Sequence, residues 1–152
     1  MVGRNRRFAL ADTVQQIVGG FILAGAFVVT EEVWVLARSM SAWQALATVA
    51  IVCGVGYGTL YKADAGRDPE REAEVGGIPL RFVSLITVSY LSVVVLALAF
   101  DAPWTFLADL AEGGRIVFGK PVTQALVYVT LKATSIGSVF SVVGAATADS
   151  VF

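Results

Sequence analysis

The chain has 152 residues, of which 57% are hydrophobic and 15% charged, where an ordinary soluble domain has about 25% charged residues. With a mean hydropathy of +0.76, this composition excludes a soluble globular domain and predicts an all-α integral membrane protein, with one membrane domain over residues 1–152. The net charge of −1, the lack of histidine and the single cysteine, Cys53, argue against a nucleic-acid partner, an enzyme, a metal site or a bound cofactor.

The first apolar stretch follows three arginines, at positions 4, 6 and 7, as the core of a signal peptide would. It is longer than such a core, so we expect a retained first span at residues 17–36. Two adjacent carboxylates, Glu31 and Glu32, lie near the end of this span. Ionisable groups inside a span are costly and mark a candidate functional site.

The helix face that carries Glu31 also carries Ala24, Gly20 and Gln16, which follow one another at helical spacing. Small residues on a span let another helix approach closely in lipid. We therefore expect this face to point into a helix bundle. Glu32 lies about 100° further round the helix axis.

The end of this stretch resembles a known family. A Gly-rich run is followed by Thr30, Glu31, Glu32, Val33 and Trp34. This is similar to the "putative integral membrane protein" family of archaea and bacteria, in which a similar helix ends in Thr-x-Glu-x-Trp. On that resemblance Glu32 is the matching acid and Glu31 departs from the pattern. A second patch, similar to the family's last span, comprises Gly119, Lys120, Gln124 and a helix rich in small residues. The resemblance implies a membrane fold and no established activity.

The second predicted span covers residues 42–61, which carry no charge. Gly54 and Gly58 form a GxxxG pair, which is typical of close helix packing in an apolar segment. The alternative is a broken helix that lines an ion path, where glycines free backbone carbonyls.

Residues 62–79 form the most hydrophilic segment of the chain, and we expect a solvated cytoplasmic linker there. Its acidic residues do not have the spacing of a calcium-binding loop. Arg81 then anchors the third predicted span, at residues 80–100.

Residues 101–120 are too charged to cross a membrane, and they predict an outer interfacial segment with an amphipathic helix between spans 3 and 4. Pro121 suits the first turn of a last span at residues 121–148. One face of that span is polar, with Gln124, Tyr128, Lys132 and Ser135 at helical spacing. A neighbouring face, with Gly137 and Ser141, is small and suits tight packing.

Lysine and arginine are distributed unequally between the two sides of a four-span chain. The termini and the middle segment would carry seven of them and the opposite side three. This bias predicts a multi-pass protein of the cytoplasmic membrane with both termini in the cytoplasm.

Two functions fit this pattern. In the first, a homo-oligomer in the lipid bilayer conducts or transports an inorganic cation, with Glu31 or Glu32 as an acidic site and Lys132 as its counter-charge. In the second, a non-conducting structural or accessory membrane protein uses a contact between one of these glutamates and Lys132 as a buried ion pair. We expect Glu31 rather than Glu32 to make that contact, because Glu31 lies on the helix face that carries Ala24, Gly20 and Gln16.

Overall fold

The computed structural model describes residues 10–62, 70 and 73–151. The predictions that rest on Arg4, Arg6 and Arg7, and half of the 62–79 linker with Arg67 and Arg71, lie outside these residues. Within the described ranges the elements are α1 Leu10–Val28, α2 Glu31–Ser39, α3 Ala42–Tyr57, a π-helical turn Gly58–Lys62, β1 Glu74–Val75, β2 Ile78–Pro79, α4 Leu80–Ala99, α5 Ala102–Phe106, α6 Ala108–Ala111, β3 Arg115–Val117, β4 Lys120–Val122 and α7 Gln124–Val151.

Four helical segments are long and apolar enough to cross a membrane, namely α1, α3 with its π-helical turn, α4 and α7. A helix satisfies its own backbone hydrogen bonds, which is the condition for crossing a bilayer. The predicted all-α fold with four spans is therefore confirmed.

The long helices alternate in direction. Asp12 contacts Arg81, Gln16 contacts Ser84 and Gly25 lies beside Leu96, so α1 runs parallel to α4. Contacts of Gln16 with Asp149 and of Gly20 with Ser141 show that α7 runs antiparallel to α1. We call the end where α1 and α4 begin and α7 finishes the Arg81 end, and the opposite end the Lys132 end.

The first span is broken, where the sequence pattern predicted a continuous helix over residues 17–36. Helix α1 ends at Val28 and α2 begins at Glu31. The Thr30 hydroxyl donates to the Phe27 carbonyl at 2.9 Å, and the Trp34 indole N–H donates to the Val28 carbonyl at 3.0 Å. In a continuous helix the carbonyls of Phe27 and Val28 would accept backbone N–H groups of the next turn. At the break the side chains of Thr30 and Trp34 donate to them instead, so these carbonyls are not left unpaired in an apolar setting.

The segment between α4 and α7 also differs from the prediction of one amphipathic helix. Two short helices, α5 and α6, meet at Leu107, and an antiparallel hairpin of β3 and β4 follows. Pro121 lies in β4 and does not start the last span. Helix α7 begins at Gln124 because the Thr123 hydroxyl accepts the Leu126 N–H at 3.0 Å, as an N-cap does.

The contacts between α4 and α7 show how far α7 extends beyond α4 at the Lys132 end. Val93 lies against Gly137, and α4 ends six residues beyond Val93, at Ala99. Because α7 is antiparallel and has the same rise per residue, the residue level with Ala99 is Leu131, six residues before Gly137. The first two turns of α7, which precede Leu131, therefore project beyond the end of α4. Helices α2 and α6 pack against α7 in this region.

Candidate functional site

Glu31 and Glu32 lie in the first turn of α2, and both are exposed. A helix N-terminus is a favourable position for carboxylates, because it carries partial positive charge. Among the described residues neither glutamate forms an ion pair. The Thr-x-Glu-x-Trp pattern thus coincides with the break between α1 and α2, with Thr30 and Trp34 bonding the end of one helix and Glu32 at the start of the next.

Lys132 does not contact either glutamate. Its side chain is only 7% exposed, its Nζ donates to the Met40 carbonyl, and it lies 4.2 Å from the centre of the Tyr128 ring. Met40 follows the last residue of α2, so the lysine caps the negative end of that helix and makes a cation–π contact. The predicted ion pair fails because the break turns α2 so that its C-terminus, and not its acidic N-terminus, meets Lys132.

The remaining residues of the predicted ion pathway do not form one cluster. Gln124 and Tyr128 are exposed on the projecting turns of α7. Ser135 is buried, with its Oγ 3.5 Å from the Tyr90 hydroxyl. Gln16 is fully buried, but it lies at the Arg81 end.

A buried charge cluster occupies the Arg81 end. Arg81 is 3% exposed, and its Nη1 donates to both carboxylate oxygens of Asp149, at 2.8 and 3.0 Å. The Asp149 side chain is fully buried. Arg81 Nη2 also donates to Asp12 Oδ2 at 3.1 Å. One guanidinium therefore joins α1, α4 and α7. Its hydrogen bonds are charge-assisted, and such bonds are stronger than those between neutral groups.

Amide and hydroxyl groups of α1 and α4 add further hydrogen bonds to this cluster. Gln16 Nε2 donates to Asp149 Oδ1 at 3.3 Å, and Gln16 Oε1 accepts the Ser84 hydroxyl at 2.8 Å. The Ser84 hydroxyl is also 3.4 Å from that of Thr13. We call Asp12, Gln16, Arg81 and Asp149 the Arg81 cluster.

A line of hydroxyl groups runs along α7 and ends at Ser141, eight residues before Asp149. We call it the hydroxyl stripe, and its members are Thr130, Thr134, Ser138 and Ser141. Ser138 donates to the Thr134 carbonyl at 2.8 Å and Ser141 donates to the Gly20 carbonyl of α1 at 3.1 Å. Of the buried hydroxyls in the described residues, those of Ser92 and Thr130 have no hydrogen-bond partner.

The residues predicted for helix packing divide into two groups. Those that lie at helix contacts are Gly20, Ala24, Gly137 and Ser141. Gly54 and Gly58 do not, because no atom lies within 4 Å of a methyl group built on either. The glycine of α3 that meets other helices is Gly56, which lies against Leu85, Ile86 and Val142. The GxxxG pair therefore faces outward.

Sequence reasoning missed the pairing of Arg81 with Asp149. The sequence predicts Arg81 only as an anchor at the start of the third span, and it assigns no role to Asp149. A signal was present, because Asp149 is in helical register with the hydroxyl stripe on α7.

Two exposed ion pairs lie at the Lys132 end, between Arg38 and Asp109 and between Lys120 and Asp101. The hydrogen bond from the Arg38 guanidinium holds the pKa of the Asp109 carboxyl below its ordinary value. In the described part of the chain, no group of three or more His, Cys, Asp or Glu side chains is placed to hold a metal ion.

Four helices that are long and apolar enough to cross a membrane, three of them joined by buried charges, define a polytopic integral membrane protein in contact with the lipid bilayer. The family described as "Putative integral membrane protein (DUF2391)" matches residues 3–149. The chain belongs to this family, which confirms the resemblance seen in its sequence. No curated protein and no solved structure matches the chain significantly.

Proposed function

We propose that the protein transports a small cation, in the simplest case a proton, across the cytoplasmic membrane. The observation that carries this proposal is the buried Arg81 cluster, since ionisable groups inside a span are expensive and are typical of ion and proton pathways. Asp149 and Asp12 supply the carboxylates, and Arg81 is their counter-charge. Gln16 links them to the interior of the bundle.

The hydroxyl stripe supplies a route away from the cluster. A hydroxyl group both donates and accepts hydrogen bonds. Since the hydroxyls of Thr134, Ser138 and Ser141 donate to backbone carbonyls, a proton would pass along this face through water molecules that the hydroxyls orient. Ser92 and Thr130 have hydrogen-bonding capacity that no described residue uses. At the other end of the molecule, the exposed pair Glu31 and Glu32 would concentrate cations near the surface.

The proposed orientation places the Arg81 end in the cytoplasm. The contact of Gln16 with Asp149 brings the start of α1 and the end of α7 to one end of the bundle, and the seven-to-three distribution of lysine and arginine favours the cytoplasm for that end.

Transport is tested in proteoliposomes that contain a pH-sensitive dye, with a potassium gradient and valinomycin to set the membrane potential. We expect the wild type to change the internal pH and Ser138→Ala to slow that change strongly. Among the described residues, the Ser138 hydroxyl bonds only to its own helix, so the variant should keep the fold while it interrupts the stripe. The matched control is Ser150→Ala on the same helix, which removes an equivalent bond to the Ala146 carbonyl on an exposed face. If proteoliposomes with the wild type move no more protons or other cations than empty vesicles do, the proposal is contradicted.

A non-conducting structural or accessory role is the alternative, and a specific observation favours it. Arg81 is held by two carboxylates at once, and the backbones of α1 and α7 touch at Gly19 and Gly144. In that case the cluster fixes the order of the helices. Asp149→Asn would then reduce the folded yield, and neither the wild type nor Ser138→Ala would carry ions.

The oligomer that we propose uses the outward face of α3. Gly54 and Gly58 leave a shallow apolar face, and such faces let helices of two copies approach closely in lipid. We expect the double variant Gly54→Leu, Gly58→Leu to shift the particle mass in mild detergent or nanodiscs from oligomer to monomer. Ala26→Leu, on an exposed position of α1, should leave the mass unchanged. A wild type that is already monomeric would contradict the proposal.

A further inference from the structure

A groove of about 880 Å³ lies between the β3–β4 hairpin and the projecting turns of α7. Its volume is within the range of about 300–1,000 Å³ found for small-molecule sites. The α7 wall is formed by Gln124, Val127, Tyr128 and Leu131, and the hairpin contributes Arg115 and Val117. Most of this lining is apolar.

The groove is polar at one end and apolar at the other. Leu131 is level with the end of α4, Val127 lies one turn further out, and Gln124 starts the helix. Arg115 pairs across the hairpin with Val122, beside that helix start. The arginine and the amide are therefore at the outer end, and the aliphatic side chains approach the apolar part of the bundle.

Arg115 forms no ion pair with any other residue that the structure describes. By contrast, Arg38 and Lys120, at the same end of the molecule, are paired with Asp109 and Asp101. A basic group without a counter-ion beside an apolar groove is complementary to an anion that carries a hydrocarbon chain.

The hairpin itself has the composition of a membrane-interface element. Ile116 in β3 is 66% exposed, and Phe118 in the turn of the hairpin is 102% exposed. The hairpin is held in place by a hydrogen bond of 2.8 Å from the Trp104 indole to the Pro121 carbonyl. Exposed apolar side chains next to basic ones at the end of a span are typical of the boundary between lipid and water.

We propose that this groove binds one anionic phospholipid of the surrounding bilayer. An acyl chain lies along Val127 and Leu131, and the phosphate accepts hydrogen bonds from Arg115 and from the Gln124 amide. The proposal is independent of any transport activity, because the groove is lined by no residue of the Arg81 cluster or of the hydroxyl stripe.

The test uses the full chain, delipidated in a mild detergent and then titrated with phosphatidylglycerol, phosphatidylcholine or inorganic phosphate. Bound lipid is counted by native mass spectrometry, and the unfolding temperature is recorded in parallel. We expect one retained phosphatidylglycerol that raises the unfolding temperature, weaker retention of phosphatidylcholine and no effect of phosphate alone. Arg115→Gln should weaken retention of phosphatidylglycerol roughly tenfold or more, since it removes a charge-assisted hydrogen bond.

Two further variants separate the site from general charge effects. Arg38→Gln makes the same charge change at the same end of the molecule and should leave retention unchanged. Leu131→Asn, at an exposed position, should weaken retention of both lipids. Equal retention of the two lipids by the wild type, or equal effects of Arg115→Gln and Arg38→Gln, would overturn the proposal.

Discussion

Arg81→Met is expected to remove most of the folded protein. The change deletes the hydrogen bonds of 2.8 and 3.0 Å to Asp149 and the one of 3.1 Å to Asp12, while the Asp149 carboxylate stays buried. Breaking a buried ion pair from one side costs on the order of 3–5 kcal/mol, a large part of the roughly 5–15 kcal/mol that stabilises a typical protein. The measurements are the folded yield on size exclusion and the unfolding temperature in mild detergent.

The matched control and a rescue make this result specific. Arg38→Gln also removes an arginine that is bonded to an aspartate, but that pair is exposed, and exposed pairs contribute little. The double variant Arg81→Met, Asp149→Leu replaces the two most buried charges of the cluster by apolar groups and should recover much of the yield, as replaced buried ion pairs often do. If Arg81→Met were as stable as Arg38→Gln, the cluster would not hold the three helices together.

Gly19→Ala is expected to separate α1 from α7. A methyl group at Gly19 would collide with the Gly144 carbonyl and lie 2.7 Å from Ala148 Cβ. A backbone carbonyl cannot rotate away as a side chain can, so the helices must move apart. Overpacking of this kind typically costs about 1–3 kcal/mol, and Gln16, one turn away, would lose its register with Asp149.

Gly54→Ala is the matched control for this second prediction, because nothing lies within 4 Å of the added methyl group. Alanine is favoured over glycine in a helix interior by up to about 1 kcal/mol, so this variant should unfold at the same temperature as the wild type or slightly higher. Equal unfolding temperatures of the two variants would show that the contact of Gly19 with the Gly144 carbonyl does not limit how closely α1 approaches α7.

Local patterns were sufficient for much of the fold. A continuous apolar stretch must form a helix in lipid, so the number of spans and their approximate bounds could be read along the chain. The small residues Gly20, Gly137 and Ser141 were also assigned to helix contacts, where they lie. In the second span, the glycine that meets other helices of the same chain is Gly56, which the GxxxG spacing of Gly54 and Gly58 does not select. GxxxG spacing identifies a shallow face, but which face meets α4 and α7 depends on how the helix is rotated in the bundle.

The break in the first span shows why the candidate site could not be placed from sequence. Val28 and Val29 continue the apolar pattern, and only the bonds from Thr30 and Trp34 reveal that the helix stops there. Once α2 departs from the axis of α1, distances counted along one helix no longer apply. Glu31 and Glu32 move to an exposed helix start, and Lys132 meets Met40 instead.

By itself the sequence determined that this protein is a membrane protein with four apolar helices of alternating direction, because that follows from hydropathy and from the backbone's need for hydrogen bonds in lipid. Only the tertiary structure decided which charges meet. Arg81 and Asp149 are 68 residues apart in the chain, and each taken alone is a polar residue near the end of a span. They form a buried pair because α1, α4 and α7 pack at a register set by Gly19, Gly20 and Gly137, and close packing of this kind fixes distances between helices that no local pattern contains.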